Sequence, residues 1–202
     1  MAVPAYPLAH EEDRGDWPAP GEWTYEEYLR LPDDGNRYEV IRGVLYVTAA
    51  PRWEHQDAGS ELELRFRLFV RKRRLGVVVR APFDVRLPSG ISDPVQPDLV
   101  FFRKGNTPRP GSHTFEGVPD MVVEILSPGT YHRDHTVKLP AYEEAGVPEC
   151  WLVDPGARTV VVYVLAAGRY VELVRGGVGD SVRSSVLPGF RVKVGDLFVV
   201  ED

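Results

Sequence analysis

"DMVVEILSPGTYHRDHTVKLPAYEEAGVPECWLVD", residues 120–154, is the stretch on which the fold turns. Met121, Val122, Val123, Ile125 and Leu126 form a short apolar run of the kind that fills the middle of a sheet, and Ser127-Pro128 stops it. "HTVKLPAYEEAG" (135–146) reads as a helix with Gly146 as its stop, and the apolar "CWLVD" (150–154) follows as a second strand. Strand, helix, strand in that order predicts one right-handed crossover between parallel neighbours. One residue does not belong. Glu124 stands inside the first apolar run, where a carboxylate costs several kcal/mol unless it is paired, protonated or bound to a metal.

Outward from this unit the pattern is mostly β. "VVVRAPFDVRLP" (77–88), "PDLVFF" (97–102), "TVVVYVL" (159–165) and "RYVELVR" (169–175) are β-branched or aromatic runs punctuated by Gly, Pro, Asp and Ser. "NRYEVIRGVLYVTAAP" (36–51) predicts a hairpin around Arg42-Gly43. Helical signals are fewer. In "TYEEYLRLP" (24–32) Thr24 and Glu27 have capping-box spacing and Pro32 ends a helix of two turns, while Ala58, Leu62, Phe66 and Phe69 mark a long helix from about Arg52 to Arg74. The expected class is α+β, or a mixed α/β sheet, mainly antiparallel with one crossover. The loop 103–117, "RKGNTPRPGSHTFEG", is long enough to be functional or mobile.

Composition bounds the rest. A chain of 202 residues with 43% hydrophobic content supports one domain, taken as 23–202, after an N-terminal arm, 1–22, rich in proline and without periodicity. No apolar stretch approaches the roughly 20 residues of a membrane-spanning helix, and the start has no basic, apolar leader, so the expected location is cytoplasmic. The single cysteine, Cys150, excludes an internal disulfide and reads as a buried thiol. A net charge of -6 argues against a dedicated nucleic-acid binder but leaves room for an enzyme that meets nucleic acid locally.

Glu124 has a twin in Asp98, which follows Pro97 and opens "DLVFF". If the two strands are neighbours the carboxylates converge at one end of the sheet, where their repulsion demands a cation; oxygen ligands with water and phosphate suit Mg²⁺. The alternative is that Asp98 caps a turn and Glu124 pairs with an arginine.

Pro97-Asp98, then a strand carrying Glu124, then a helix with Lys138 resembles the PD-(D/E)XK nuclease superfamily. More narrowly, "YEVIRG", "QPDLVFF", "VEILSPGTYHRDHTVKLPAYEEAGVPECWLVDP" and "VLPGFRVKVGDLF" resemble the Uma-two family of restriction endonucleases, over roughly Trp23 to Phe198. The resemblance implies a restriction-endonuclease-like core, central mixed sheet and flanking helices. It implies an Mg²⁺-dependent phosphodiesterase site, with Mn²⁺ as a substitute, in which Asp98, Glu124 and the carbonyl of Ile125 hold the metal. The lysine of the superfamily pattern, two residues after the glutamate, is replaced by Leu126; in the family pattern Lys138 on the following helix stands in. Pro140 bends that helix or places Lys138 at its start. Glu39, in "YEVIRG", matches an auxiliary acid, and His55 matches a histidine that could contact a phosphate or shuttle a proton, although its position also fits a helix surface. Asp134 matches a family position and would salt-bridge or cap the helix. His132 and His135 have a zinc-like spacing but no further ligand.

Charge on the long helix divides into two groups. Glu61 and Glu63 precede Arg65 and Arg67 by four residues and should neutralise them, whereas Arg71, Lys72, Arg73 and Arg74 crowd the helix C-terminus, free to complement the dipole or to contact a phosphate backbone. Two functions are therefore expected to compete. One is a metal-dependent endonuclease acting on nucleic acid, DNA in the first place, as a homodimer; the other is a catalytically inactive nuclease fold serving as a binding or regulatory module.

Overall fold

The computed structural model describes residues 17–198. Most of the predicted arm, residues 1–16, lies outside the described residues. Residues 17–22 lie against the hairpin: Trp17 stacks on Trp23 at 5.3 Å between ring centroids, and the Gly21 amide donates to the Gly43 carbonyl at 2.7 Å. Gly43 has φ 69°, and a Cβ there would meet the Gly21 oxygen at 2.3 Å, so only glycine permits this approach.

Thirteen strands form three sheets among the described residues. A six-stranded sheet runs β11 (Arg169–Gly176), β10 (Thr159–Ala166), β9 (Glu149–Asp154), β8 (Met121–Ile125), β6 (Leu99–Arg103), β3 (Gly76–Arg80). A five-stranded sheet runs β2 (Val44–Thr48), β1 (Arg37–Ile41), β5 (Ser92–Val95), β4 (Asp84–Leu87), β7 (Thr114–Glu116), and β12 (Ser181–Arg183) pairs with β13 (Arg191–Lys193). In the six-stranded sheet only β8 and β9 are parallel, where strand, helix, strand required it.

The α-helices among the described residues are α1 (Tyr25–Tyr28), α2 (Trp53–Arg73), α3 (Tyr131–Arg133) and α4 (Leu139–Ala145), the last two joined by a π-helical turn over Asp134–Lys138. The capping box at Thr24 and Glu27 forms, although α1 makes one turn rather than two. Glu61 and Glu63 pair with Arg65 and Arg67 as their spacing required. Pro140 sits in the first turn of α4, directly after the wider π turn, where a missing amide is tolerated.

Three expectations need correction. "VVVRAPFDVRLP" is two strands in different sheets, because Pro82 cannot donate to a ladder and the chain turns there. The loop 103–117 contains β7, which pairs parallel to β4. The strands β5, β12 and β13 were not foreseen; at three or four residues they are too short to show a period of two.

Alternation on β8 sorts side chains to the two faces of the six-stranded sheet. Met121, Val123 and Ile125 pack in a core under α2, with Ala58, Leu62, Phe66 and Val70; Val122 and Leu126 pack in a second core with Ala141, Tyr142 and Ala145 of α4. Glu124 therefore faces α4. No helix is long and apolar enough to cross a membrane among the described residues.

Candidate active site

The ladder pair Leu99↔Val123 places Asp98 opposite Glu124, one step beyond the last paired residues of β6. By the same alternation Asp98 shares the face of Val100 and Phe102, which is the face of Glu124. Like charges directly opposite one another repel, and the structure surrounds them with cations. Asp98 Oδ1 accepts from Arg37 Nη1 at 2.8 Å; Oδ2 accepts from the Ile125 amide at 2.8 Å and lies 3.2 Å from His55 Nε2. Glu124 Oε1 lies 2.7 Å from Lys138 Nζ and accepts from the Tyr142 hydroxyl at 2.5 Å.

Lys138 is 1% exposed. Its ammonium bridges Glu124 and Glu39 Oε1, the latter at 2.9 Å. Glu39 in turn accepts from the Gln96 amide at 2.8 Å and sits 3.4 Å from Arg133, whose guanidinium also donates to Thr48 at 2.6 Å. Burial alone would neutralise such groups, and the balance differs among them. Burial raises the Glu39 carboxyl, but Lys138, Arg133 and Arg37 outweigh it and bring Glu39 down to about 2. Burial likewise opposes ionisation of Asp98, and the His55 hydrogen bond and Arg37 hold it well below the usual carboxylate range. Glu124 goes the other way: burial, with repulsion from Asp98, Asp134 and Glu39, outweighs Lys138 and raises it to about 8. Lys138 stays charged despite burial because Glu124 and Glu39 flank it. One ammonium serves two carboxylates, and Glu39 holds the larger share of cations.

Arg37, His55, Asp98, Glu124, Ile125 and Lys138 help to line a cavity of about 290 Å³, which Glu39 does not reach. Among the described residues no group of three or more His, Cys, Asp or Glu is placed to hold an ion. The donor set nevertheless fits Mg²⁺, which keeps several waters and takes only one or two carboxylates from a protein.

The site-residue expectations fare unevenly. Asp98, Glu124, Ile125, Lys138 and Glu39 meet at one end of the sheet. His55, at the start of α2, is inside the site beside Asp98 and not on the helix surface, because α2 begins at the sheet end where Asp98 lies. The alternative, with Asp98 capping a turn and Glu124 paired with an arginine, does not form: Glu124 pairs with Lys138, and the arginine, Arg37, pairs with Asp98. Arg71, Lys72, Arg73 and Arg74 do not join the site: Lys72 lies 17 positions along α2 from His55, about 25 Å of helix. They are exposed, and Arg73 lies over the Phe69 ring at 3.8 Å. His135 Nδ1 meets the Tyr131 carbonyl at 2.9 Å. Arg37, Arg133 and Tyr142 were missed. Arg37 is two residues from Glu39 on a strand and Tyr142 four from Lys138 on a helix, so period alone aligned both with residues already singled out.

Leu126 is buried against α4, on the face that Glu124 uses. The position at which the resemblance would place a lysine therefore packs against α4, directly after the π-helical turn that carries Lys138.

A crystal structure from Anabaena variabilis ATCC 29413, described as a "putative nuclease belonging to DUF820", is similar in fold: TM-score 0.74 at 24% identity, covering 87% of this chain and 97% of that one. The fold is thus the mixed α+β architecture expected, with a central mixed sheet flanked by helices. The model of the Uma2 family, described as "Putative restriction endonuclease", matches residues 25–195, and the chain belongs to that family. No curated protein matches the chain.

Proposed function

We propose that this protein is a metal-dependent endonuclease that hydrolyses phosphodiester bonds of nucleic acid, in the first place DNA. The observation that carries the reading is the meeting of Asp98, Glu124 and the fully buried Lys138 on one small cavity, with Glu124 and Lys138 2.7 Å apart. The family description and the Anabaena neighbour support it.

Asp98 and Glu124, with the Ile125 carbonyl, would hold Mg²⁺ or Mn²⁺. When bound, the ion would polarise a phosphoryl oxygen and lower the pKa of a water. The chain supplies the remainder. Lys138 neutralises charge that develops at the phosphorus and holds Glu124 in one orientation. Glu39 keeps Lys138 protonated and aimed, and is a positioning residue. Arg37 and the Ile125 amide fix the Asp98 carboxylate so that it enters the cavity without reorganising. A single site cuts a single strand, so the reading includes a homodimer for duplex cleavage, testable by sedimentation velocity.

The test is cleavage of plasmid and oligonucleotide DNA with Mg²⁺, with Mn²⁺ and with EDTA. We expect metal-dependent nicking that Glu124→Gln abolishes. No cleavage with either metal, together with a melting temperature that millimolar metal leaves unchanged, would replace this reading by the inactive binding module.

A further inference from the structure

A second cavity, of about 580 Å³, adjoins the first, and Arg37, His55, Asp98 and Ile125 line both. Their lining differs in chemistry. The smaller cavity adds Arg52, Arg133 and Lys138; the larger adds Tyr28, Tyr38, Leu31 and Pro82. The cations on the larger side are already paired, Arg37 with Asp98 and Arg80 with Glu63, and Asp33 and Asp84 also line it. This is a poor place for a phosphate and a suitable one for a neutral ring.

The polar end of the larger cavity has an unmet requirement. Gln96 is 6% exposed; its Nε2 donates to the Tyr28 hydroxyl at 3.1 Å and to Asp84 Oδ1 at 2.8 Å, while its Oε1 is buried with no partner. Turning the amide over exchanges the two atoms and leaves the other one without a partner, so one amide atom is free in either orientation. Tyr28 is held in place, since its hydroxyl also donates to Asp84 at 3.0 Å. The backbone of Gln96 is tied to the neighbouring site too, its main-chain N–H donating to Glu39 and its main-chain carbonyl accepting from Arg37.

We propose that the larger cavity is a pocket for one unstacked nucleobase, with Tyr28 as the stacking wall and the Gln96 side-chain amide as the edge reader, beside the phosphate that a metal at Asp98 and Glu124 would bind. An unpaired strand can fill it directly, whereas a base inside a duplex must first leave its stack, at a cost in free energy, so unpaired DNA is the preferred substrate and duplex is cut where a base is turned out. This deepens the nuclease reading and rests on it.

The experiment measures fluorescence anisotropy of a labelled single-stranded DNA decamer and of a fully abasic decamer of equal charge, with full-length protein in EDTA. The base-bearing strand is expected to bind about tenfold more tightly or better, the range of one aromatic stack. Tyr28→Leu should reduce that ratio to about one, and Tyr28→Phe should keep most of it, with melting curves confirming that both variants fold. Equal affinity of the two decamers for the wild-type protein, no binding of either, or a ratio that survives Tyr28→Leu overturns the pocket. Cleavage retained with the ratio absent removes the pocket alone; a ratio retained with no cleavage of any DNA removes the nuclease reading alone.

Discussion

Two glutamates lie buried on neighbouring parallel strands, Glu124 on β8 and Glu149 on β9, and they are satisfied in opposite ways. Glu149 accepts from the Trp151 indole at 2.7 Å, the Ser184 hydroxyl at 2.6 Å and the amides of Ser185 and Val186 at 2.6 and 3.0 Å. All four donors are neutral and fixed, and Glu149 lines neither cavity described above. It pins β9 to the loop between β12 and β13. Glu124 is held by a lysine and a tyrosine, repelled by Asp98, and opens onto a cavity. A buried acid closed off by neutral donors is a structural fastening. One held by a shared cation beside a second acid keeps unspent affinity for another positive charge.

Exchange of the two acids for amides should therefore give crossed results. The largest effect is expected from Glu124→Gln on catalysis, a loss of metal-dependent cleavage of about a thousandfold or more, as for a group that acts on the transition state. Its metal-free stability should change little, because the amide still accepts from Tyr142 and Lys138 keeps Glu39. Next comes Lys138→Met. It leaves Glu39 and Glu124 buried without their shared cation and should cost about 3–5 kcal/mol in chemical denaturation, with cleavage down about a hundredfold or more.

Glu149→Gln should cost about 1.5–3 kcal/mol through lost hydrogen bonds to a charged acceptor, while cleavage per folded molecule stays unchanged. If Glu149→Gln impaired cleavage and Glu124→Gln impaired folding, the contrast between the two acids would collapse.

A further effect should appear in the pH dependence of the metal-free protein. A carboxyl raised to about 8 keeps its proton in the folded state, so its contribution is present at low pH and lost as pH climbs from about 4.5 to about 8. Glu39, lowered to about 2, behaves oppositely, and its stabilisation is lost as pH falls from about 4.5 towards 2. Denaturation across pH in EDTA should show the upper slope in the wild-type protein and a flatter one in Glu124→Gln. The smallest effect is expected at the far end of α2. Arg71→Ala with Arg74→Ala should lower the salt slope of DNA binding by roughly 1.5–2 if both contact phosphates, and leave cleavage at saturating DNA unaltered. An unchanged slope returns the cluster to its role beside the helix dipole.

The sequence by itself determined the elements whose signal is local. The apolar run of β8, the period of α2, the stop at Gly146 and the capping box at Thr24 follow from spacing and backbone preference within a few residues. It also marked Asp98 and Glu124, because an acid in an apolar strand violates the pattern around it. What only the tertiary structure decided was which charge meets which. The distance between Glu39 and Lys138 along the chain is 99 residues, and between Arg37 and Asp98 it is 61, yet each pair forms a contact under 3 Å. Likewise His55 reads as a surface residue from its helix alone and becomes a partner of Asp98 only where α2 starts at the sheet's end. Partnerships of this kind depend on how sheets and helices stack, and that information is spread over the whole core rather than held in any one stretch of chain.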